Sequence, residues 1–240
     1  MILTDELKKI AKKQQTSFLN IGRDYLQALF LTAFYQQKEA AAFFFKGGTA
    51  LHLLYQSPRF SEDLDFSAHA FDCWTFENLL ENALSILEKN GLKTDLVESK
   101  KTTGGCLAIF SGQVGEILIS VKTEVSLRKP KETRGEMVLL RTDFLPLANI
   151  LTLEKELLVK EKINALLTRK KARDFFDAYF ILRKGWKINL SQAEQKILMK
   201  KIELLGQKEL AKDLKEFLPK SFWPIILDLP KVLKSELGEK

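Results

Sequence analysis

The sequence is poor in the residues that hold structural metal ions and disulfide-rich folds. Only two cysteines and two histidines occur among the 240 residues, and neither histidine has metal-ligand spacing to the other or to Cys73. The amino-terminal segment MILTDELKKI is charged and lacks the apolar run that precedes the cleavage site of a secretory signal. We therefore expect a reducing, cytoplasmic setting.

Long apolar runs are also missing from the sequence. The most apolar uncharged stretches, such as YLQALFLTAFYQQ, are too short and too rich in glutamine to cross a bilayer. Internal repeats and low-complexity linkers are absent as well, so domains have to be distinguished by hydrophobic pattern. The sequence predicts a chain without a membrane span.

Lysine is the residue that the sequence has in excess. The formal net charge is +7, and lysines cluster in carboxyl-terminal stretches such as TRKKARDFFDAY and LMKKIELLGQKELAKDLKEF. Positive charge favours a polyanionic partner, whereas lysines on solvated helix faces would give the same composition.

The hydrophobic pattern divides the chain into a mixed part and a helical part. Residues 17–37 have apolar positions at helical spacing, and short strands then alternate with helices. After Pro130 the strands largely stop, and helices follow that end near Gly185, Gly206 and Pro219. We predict an α+β fold, with a small mixed sheet and flanking helices over residues 1–140 and a helical domain over residues 141–240.

Two aspartates lie one residue apart in the segment RFSEDLDFSA, which alternates in polarity like a strand. Asp63 and Asp65 therefore share a face, at a spacing that suits a shared divalent cation. Mg²⁺ fits best, because it is typically held by one or two carboxylates together with substrate phosphates. A D-x-D pair alone is more often a solvated strand face.

A glycine turn lies about one helix before this strand. The segment FFFKGGTALHLLYQ is typical of a strand, a tight turn and a helix. Backbone N–H groups at the start of the helix and the Thr49 hydroxyl could bind a phosphate, with Lys46 beside them. A turn of this kind alone is more often only a connection.

Together the two features resemble the signature of the nucleotidyltransferase AbiEii/AbiGii toxin family, a branch of the polymerase-β-type nucleotidyltransferases. Gly47, Gly48 and Thr49 match its glycine–glycine–serine/threonine turn, and RFSEDLDF matches its Arg-x-Ser-x-Asp-Leu-Asp-Phe strand. The resemblance implies a nucleotidyltransferase-type sheet whose active-site cleft is completed by the helical domain. We place Arg59 and Ser61 with the turn residues among the expected phosphate-binding residues.

The superfamily has a third acid on a later strand. In EILISVKTEVSLR the odd-numbered residues from Ile117 to Leu127 are mostly apolar, which leaves Lys122 and Glu124 on the other face. Glu124 is the predicted third carboxylate, and Glu116, at a turn, is the second choice. From the pattern alone, a surface Lys–Glu pair is an equally good interpretation.

A helical segment, EKINALLTRKKARDFFDAYFIL, resembles the second half of the family signature. The resemblance implies that Lys162 and Asp174 belong to the active site, with the lysine contacting nucleotide phosphate. On one straight helix these side chains would point about 120° apart, so we predict a break near residues 168–171, with Asp174 in the first turn of the next helix. Asp177, four residues after Arg173 among apolar residues, is predicted to form a structural pair with an arginine.

The resemblance implies transfer of a nucleoside monophosphate from an NTP to an acceptor, with Mg²⁺ or Mn²⁺ held by Asp63, Asp65 and Glu124. It also implies the toxin of a bacterial toxin–antitoxin or phage-defence pair, with a cognate antitoxin and an RNA such as tRNA as the acceptor. Two alternatives stay open. One is a phosphotransferase on the same metal site, and the other is a catalytically silent nucleotide- or RNA-binding module.

Overall fold

A computed structural model of the chain describes residues 2–130 and 133–238. The chain divides into two compact units, here called the sheet unit (Met1–Gln56 and Phe60–Glu154) and the helical unit (Ser57–Arg59 and Lys155–Lys240). The division at residue 154 falls later than the predicted residue 140. The reason is that two strands follow Pro130, where the sequence had predicted that strands largely stop.

Among the described residues, the sheet unit is built on a seven-stranded mixed sheet with the order β3-β4-β5-β2-β1-β7-β6. The pairs β2–β5 and β1–β7 are parallel and the other pairs are antiparallel, which confirms the predicted mixed α+β fold. Its strands are β1 Phe44–Lys46, β2 Leu64–Ala68, β3 Thr94–Thr102, β4 Gly105–Val114, β5 Ile117–Leu127, β6 Gly135–Leu140 and β7 Ala148–Leu153. Its helices are α1 Thr4–Lys13, α2 Phe18–Phe34, α3 Gly47–Leu53 and α4 Cys73–Lys89.

Phenylalanines form the core between the sheet and its helices. The ring of Phe30 in α2 stacks on Phe110 in β4 with 4.6 Å between centroids, and Phe34 lies 5.3 Å from Phe66 in β2. Because strand side chains alternate between the two faces, the strand that buries Phe66 in this core turns Asp65 to the opposite face. The hydrophobic core therefore determines which way the acid points.

The two cysteines are joined in a Cys73–Cys106 disulfide bond, which the expectation of a reducing setting did not foresee. Cys73 begins α4 and Cys106 lies in β4, in register with Val125 of β5. Cys106 and Val125 are both buried. The bond therefore ties α4 to the core face of the sheet.

The helical unit confirms the predicted break. Helix α5 ends at Thr168 and α6 begins at Ala172, with Asp174 in its first turn. A cluster of buried aliphatic residues and phenylalanines joins the helices. None of the described helices is long and apolar enough to span a membrane. The helices of this unit are α5 Lys155–Thr168, α6 Ala172–Arg183, α7 Gln192–Glu203, α8 Gln207–Lys215 and α9 Trp223–Gly238.

Candidate active site

The three predicted carboxylates lie on the open face of β2 and β5. Asp65 is the direct register partner of Glu124 in this parallel pair, and Asp63 precedes β2 by one residue. The side chains of Asp63 and Glu124 are 37% and 44% exposed. Glu116, the second choice, is exposed in the turn at the other end of β5. The pairing of β2 with β5 therefore brings Asp63, Asp65 and Glu124 together, and we call them the acid group.

Lys122 belongs to the same face, and the sequence had suggested it only as a surface partner of Glu124. Its Nζ lies 3.3 Å from Asp63 Oδ2 and 3.6 Å from Glu124 Oε2. Burial alone would lower the pKa of Lys122, but the negative charges of Asp63, Glu124 and Asp65 outweigh it and raise that pKa. The signal that could have found this contact was the two-residue spacing between Lys122 and Glu124, which puts both on one strand face.

The acid group suits a divalent cation that completes its coordination with other ligands. In the part of the chain that the structure describes, no three His, Cys, Asp or Glu side chains are grouped closely enough to hold a metal ion by themselves. Mg²⁺ is rarely held in an all-protein cage, however, and takes one or two carboxylates plus phosphate oxygens and water. The Lys122 ammonium, 3.3 Å from Asp63, shows that this carboxylate pairs with a cation.

The glycine turn lies directly against the acid group. Gly47 has φ +85°, and a Cβ built there would overlap the Asp65 carboxylate and lie 3.1 Å from the Asp65 Cβ. A side chain at residue 47 would therefore displace the acid as well as strain the backbone. Lys46 is buried and is the register partner of Asp65. The turn predicted to bind phosphate thus borders the predicted metal ligands.

Three successive carbonyl oxygens before β2 accept hydrogen bonds from buried side chains. Gln27 Nε2 in α2 donates to the carbonyls of Ser61 (3.3 Å) and Glu62 (2.9 Å), and the Thr49 hydroxyl donates to that of Asp63. Gln27 and Thr49 are both 0% exposed. The Thr49 hydroxyl, predicted from the sequence to bind phosphate, here fixes the backbone of a carboxylate. Nothing in the sequence pattern pointed to Gln27.

In the helical unit, Asp177 is the centre of a buried ion network. Its carboxylate accepts from Arg59 Nε at 2.8 Å, Arg59 Nη2 at 3.0 Å and Lys162 Nζ at 2.8 Å. Burial opposes ionisation of Asp177, but the charges of Arg59 and Lys162 outweigh it and lower the pKa. The predicted structural arginine pair exists, but its arginine is Arg59 rather than Arg173.

Asp174 lies one turn of α6 before Asp177 and is also buried, at 2% exposure. Arg169 Nη2 donates to its Oδ1 at 3.4 Å, and Arg169 Nε lies 3.2 Å from its Oδ2. Burial raises the pKa of Asp174, and the positive charge of Arg169 offsets only part of the effect. The break between α5 and α6 therefore sets a carboxylate with a raised pKa beside a partly exposed arginine.

The predicted site residues thus form two groups. Lys46, Gly47, Gly48, Thr49 and Ser61 lie with the acid group in the sheet unit, whereas Arg59, Lys162 and Asp174 lie in the helical unit. The two histidines, which lack metal-ligand spacing in the sequence, have structural partners. His52 Nε2 lies 2.6 Å from Asp24 Oδ2, and His69 Nδ1 lies 3.0 Å from Thr133 Oγ1.

Comparison with known protein families decides which family these residues belong to. The model of the nucleotidyl transferase AbiEii toxin family, assigned to type IV toxin–antitoxin systems, matches residues 29–224. The chain belongs to this family. The match extends from α2 into α9 and includes both residue groups, so this AbiEii-family protein is a nucleotidyltransferase of the toxin type, and the resemblance seen in the sequence is confirmed.

Solved structures show the same fold. The AbiEii-family protein is similar to MenT4, the nucleotidyltransferase toxin Rv2826c from Mycobacterium tuberculosis H37Rv, with 14% identity and a TM-score of 0.66 over 100% of this chain and 91% of that one. It is also similar to JHP933 from Helicobacter pylori, with 23% identity and a TM-score of 0.59 over 93% of this chain and 90% of that one. No curated protein matches the sequence.

Proposed function

We propose that this AbiEii-family protein transfers a nucleoside monophosphate from an NTP to an acceptor hydroxyl in a reaction that depends on a divalent cation. The observation that carries the proposal is the register of Asp65 with Glu124, beside Asp63, on the open face of the sheet. A glycine turn that leaves room for the Asp65 carboxylate borders this group. Carboxylates next to a glycine turn that opens a helix suit a substrate that carries phosphates.

In the proposed reaction the acceptor oxygen forms a bond to the α-phosphorus, and the bond from that phosphorus to the leaving pyrophosphate breaks. Asp63, Asp65 and Glu124 would hold Mg²⁺ or Mn²⁺, which supplies neutralisation of phosphate charge. Glu124 would accept the proton of the attacking hydroxyl. Phosphoryl transfer of this kind depends mainly on positioning and electrostatics. The pairing of β2 with β5 and the hydrogen bonds from Gln27 and Thr49 would hold the charged acid group in position.

The remaining residues have roles that stay predictions. Gly47 and Gly48, with Lys46 and Ser61 nearby, would border the triphosphate. Lys162 would offset phosphate charge, and its ammonium is oriented by the bond to Asp177. Arg59 is 2% exposed and bound to the same carboxylate, which supports a role in holding Asp177 more than direct phosphate binding.

RNA, such as tRNA, is the proposed acceptor. The support is the charge distribution, because residues 155–240 contain more than half of the lysines and arginines of the chain but well under half of its acids. A surplus of positive charge attracts the phosphate backbone independently of sequence. As a toxin-family member, the protein would work in the cytoplasm with a cognate antitoxin, in a system that serves phage defence.

Incubation of the protein with total RNA, Mg²⁺ and each α-labelled NTP tests this function. We expect one NTP to label an RNA band, and Asp63→Asn and Asp65→Asn each to lower the labelling about 100-fold or more. Asp95→Asn is a matched control, because Asp95 is an exposed acid in the same unit and its loss should leave labelling unchanged.

Parallel reactions with γ-labelled NTP separate the alternatives. Label that reaches the acceptor only from the γ position would identify a phosphotransferase and contradict the proposal. Undiminished α-label transfer by both aspartate variants would show that the acid group is not the catalytic centre.

A further inference from the structure

Lys122 is placed among the carboxylates to which the proposed function assigns a divalent cation. It lies two residues before Glu124 on β5 and contacts both Asp63 and Glu124, at 3.3 Å and 3.6 Å. The remaining member of the acid group, Asp65, is the register partner of Glu124. One ammonium group therefore contacts two of the three members of the acid group.

We propose that Lys122 is the resident counter-ion of the acid group and competes with the divalent cation for it. The inference rests on the proposed function, which identifies these acids as metal ligands. An ammonium within 4 Å of a carboxylate repels a second cation that approaches the same oxygens. Lys122 therefore lowers the affinity of the nucleotide-free protein for metal, and it also offsets the mutual repulsion of the three acids while no metal is bound.

The position of Lys122 also couples the binding of the metal ion to the binding of the nucleotide. The phosphates of an NTP bring negative charge that can balance the ammonium and the metal at once, so metal and nucleotide each favour the binding of the other. Linkage requires this coupling to be reciprocal. The counter-ion thereby selects the metal–nucleotide complex over the free metal ion as the species that binds.

A solvated surface ion pair is the competing interpretation, since such pairs contribute little to stability. The two interpretations differ in what the removal of the charge does. Loss of a surface pair leaves metal binding unchanged, whereas loss of a competing cation strengthens it.

Binding of Mn²⁺ alone, measured from the loss of the free-ion EPR signal, distinguishes them. Without nucleotide we expect Lys122→Met to bind Mn²⁺ about fivefold more tightly than wild type, the size expected for partly exposed charge pairs. Lys122→Arg should stay close to wild type because it keeps the charge. Lys100→Met is the matched control, since Lys100 pairs with Glu98 at 2.5 Å on β3 and its loss changes the net charge equally.

Thermal unfolding provides a second readout and shows that the variants are folded. Addition of Mn²⁺ should raise the melting temperature of Lys122→Met more than that of wild type or Lys100→Met. Asp65→Asn in the Lys122→Met background should abolish the gain in affinity.

Equal Mn²⁺ affinity in Lys122→Met and Lys100→Met, or weaker binding in Lys122→Met, overturns the inference. If Asp65-dependent binding exists in wild type but does not change in Lys122→Met, the inference alone fails. If neither protein binds Mn²⁺ without nucleotide, the inference fails, and the metal assignment of the proposed function fails with it only if α-label transfer also proceeds without any divalent cation.

Discussion

At the scale of single residues, Asp177 shows how a buried charge depends on partners far along the chain. Sequence spacing favoured Arg173, four residues away on the same helix, because residues at that spacing are neighbours on a helix surface. The structure instead pairs Asp177 with Arg59, 118 residues earlier, and with Lys162. Periodicity identifies a buried acid, but it cannot identify a distant partner.

Replacement of Asp177 by asparagine removes the negative charge that accepts hydrogen bonds from two buried cations, Arg59 and Lys162. We expect Asp177→Asn to lower the free energy of unfolding by about 3–5 kcal/mol at pH 7, the usual result of breaking a buried ion pair from one side. Urea titration measures the change. Asp228→Asn, an exposed acid of the same unit, should change stability by less than about 0.5 kcal/mol.

The difference in the free energy of unfolding between wild type and Asp177→Asn should depend on pH. The pKa of Asp177 is lowered in the folded state, so its contribution is present above the unfolded-state pKa of about 3.9 and is lost as pH falls towards the folded value. The difference between wild type and Asp177→Asn should therefore shrink below pH 4. Asp174, whose pKa is raised, acts with the opposite sign and weakens stability as pH rises through its folded pKa. An unchanged difference between pH 7 and pH 3 would contradict this account of Asp177.

At the scale of elements, the break between α5 and α6 is stabilised by a lysine of another helix. Lys201 Nζ in α7 donates to the carbonyls of Leu166 and Arg169, at 3.0 Å and 3.1 Å, and also to that of Leu167. These carbonyls belong to the last turn of α5 and the residue after it, where intrahelical partners run out. A cation at a helix carboxyl end is also favoured by the helix dipole.

Lys201→Met should destabilise the helical unit by about 1–2 kcal/mol, because it leaves these carbonyls without their donor. Lys200→Met is the control, since Lys200 is an exposed neighbour on the same helix. Thermal unfolding of both variants checks the prediction. Equal melting temperatures would mean that the lysine does not stabilise the break.

The sequence predicted those strands and helices whose pattern is contained in a short segment of the chain. Alternation in β2 and β5 and the rotation from Lys162 to Asp174 are properties of short segments, and the strands and the helix break follow from them. The pairing of β2 with β5, the hydrogen bonds from Gln27 and the Cys73–Cys106 bond join distant segments, and hydrophobic period carries no information about such partners. Strands β6 and β7 were missed for a related reason, since β7 joins the sheet through distant β1.

At the scale of the whole molecule, positive charge is concentrated in residues 155–240. Affinity for RNA should then depend strongly on salt and fall by about tenfold or more between 50 and 200 mM KCl. We expect Lys170→Gln with Lys171→Gln, two exposed lysines at the α5–α6 break, to weaken RNA binding several-fold.

The matched control for that measurement is Lys12→Gln with Lys13→Gln, an exposed pair at the end of α1. Filter binding to total tRNA compares the two double variants at equal net charge. Equal losses in both would indicate non-specific attraction to the whole protein rather than a contact by the helical part.

The Arg59–Asp177 pair also limits how early the protein can complete its folding during synthesis on the ribosome. Arg59 is synthesised long before the helices with which it is buried, and Phe45 in β1 has to wait for Thr152 in β7. Contacts of such separation form late, because the intervening chain has to be made and its loop closed first. A nascent chain that stalls before residue 148 therefore lacks β7 and all of α5–α9. Translation itself delays the assembly of the toxin until most of its message has been read.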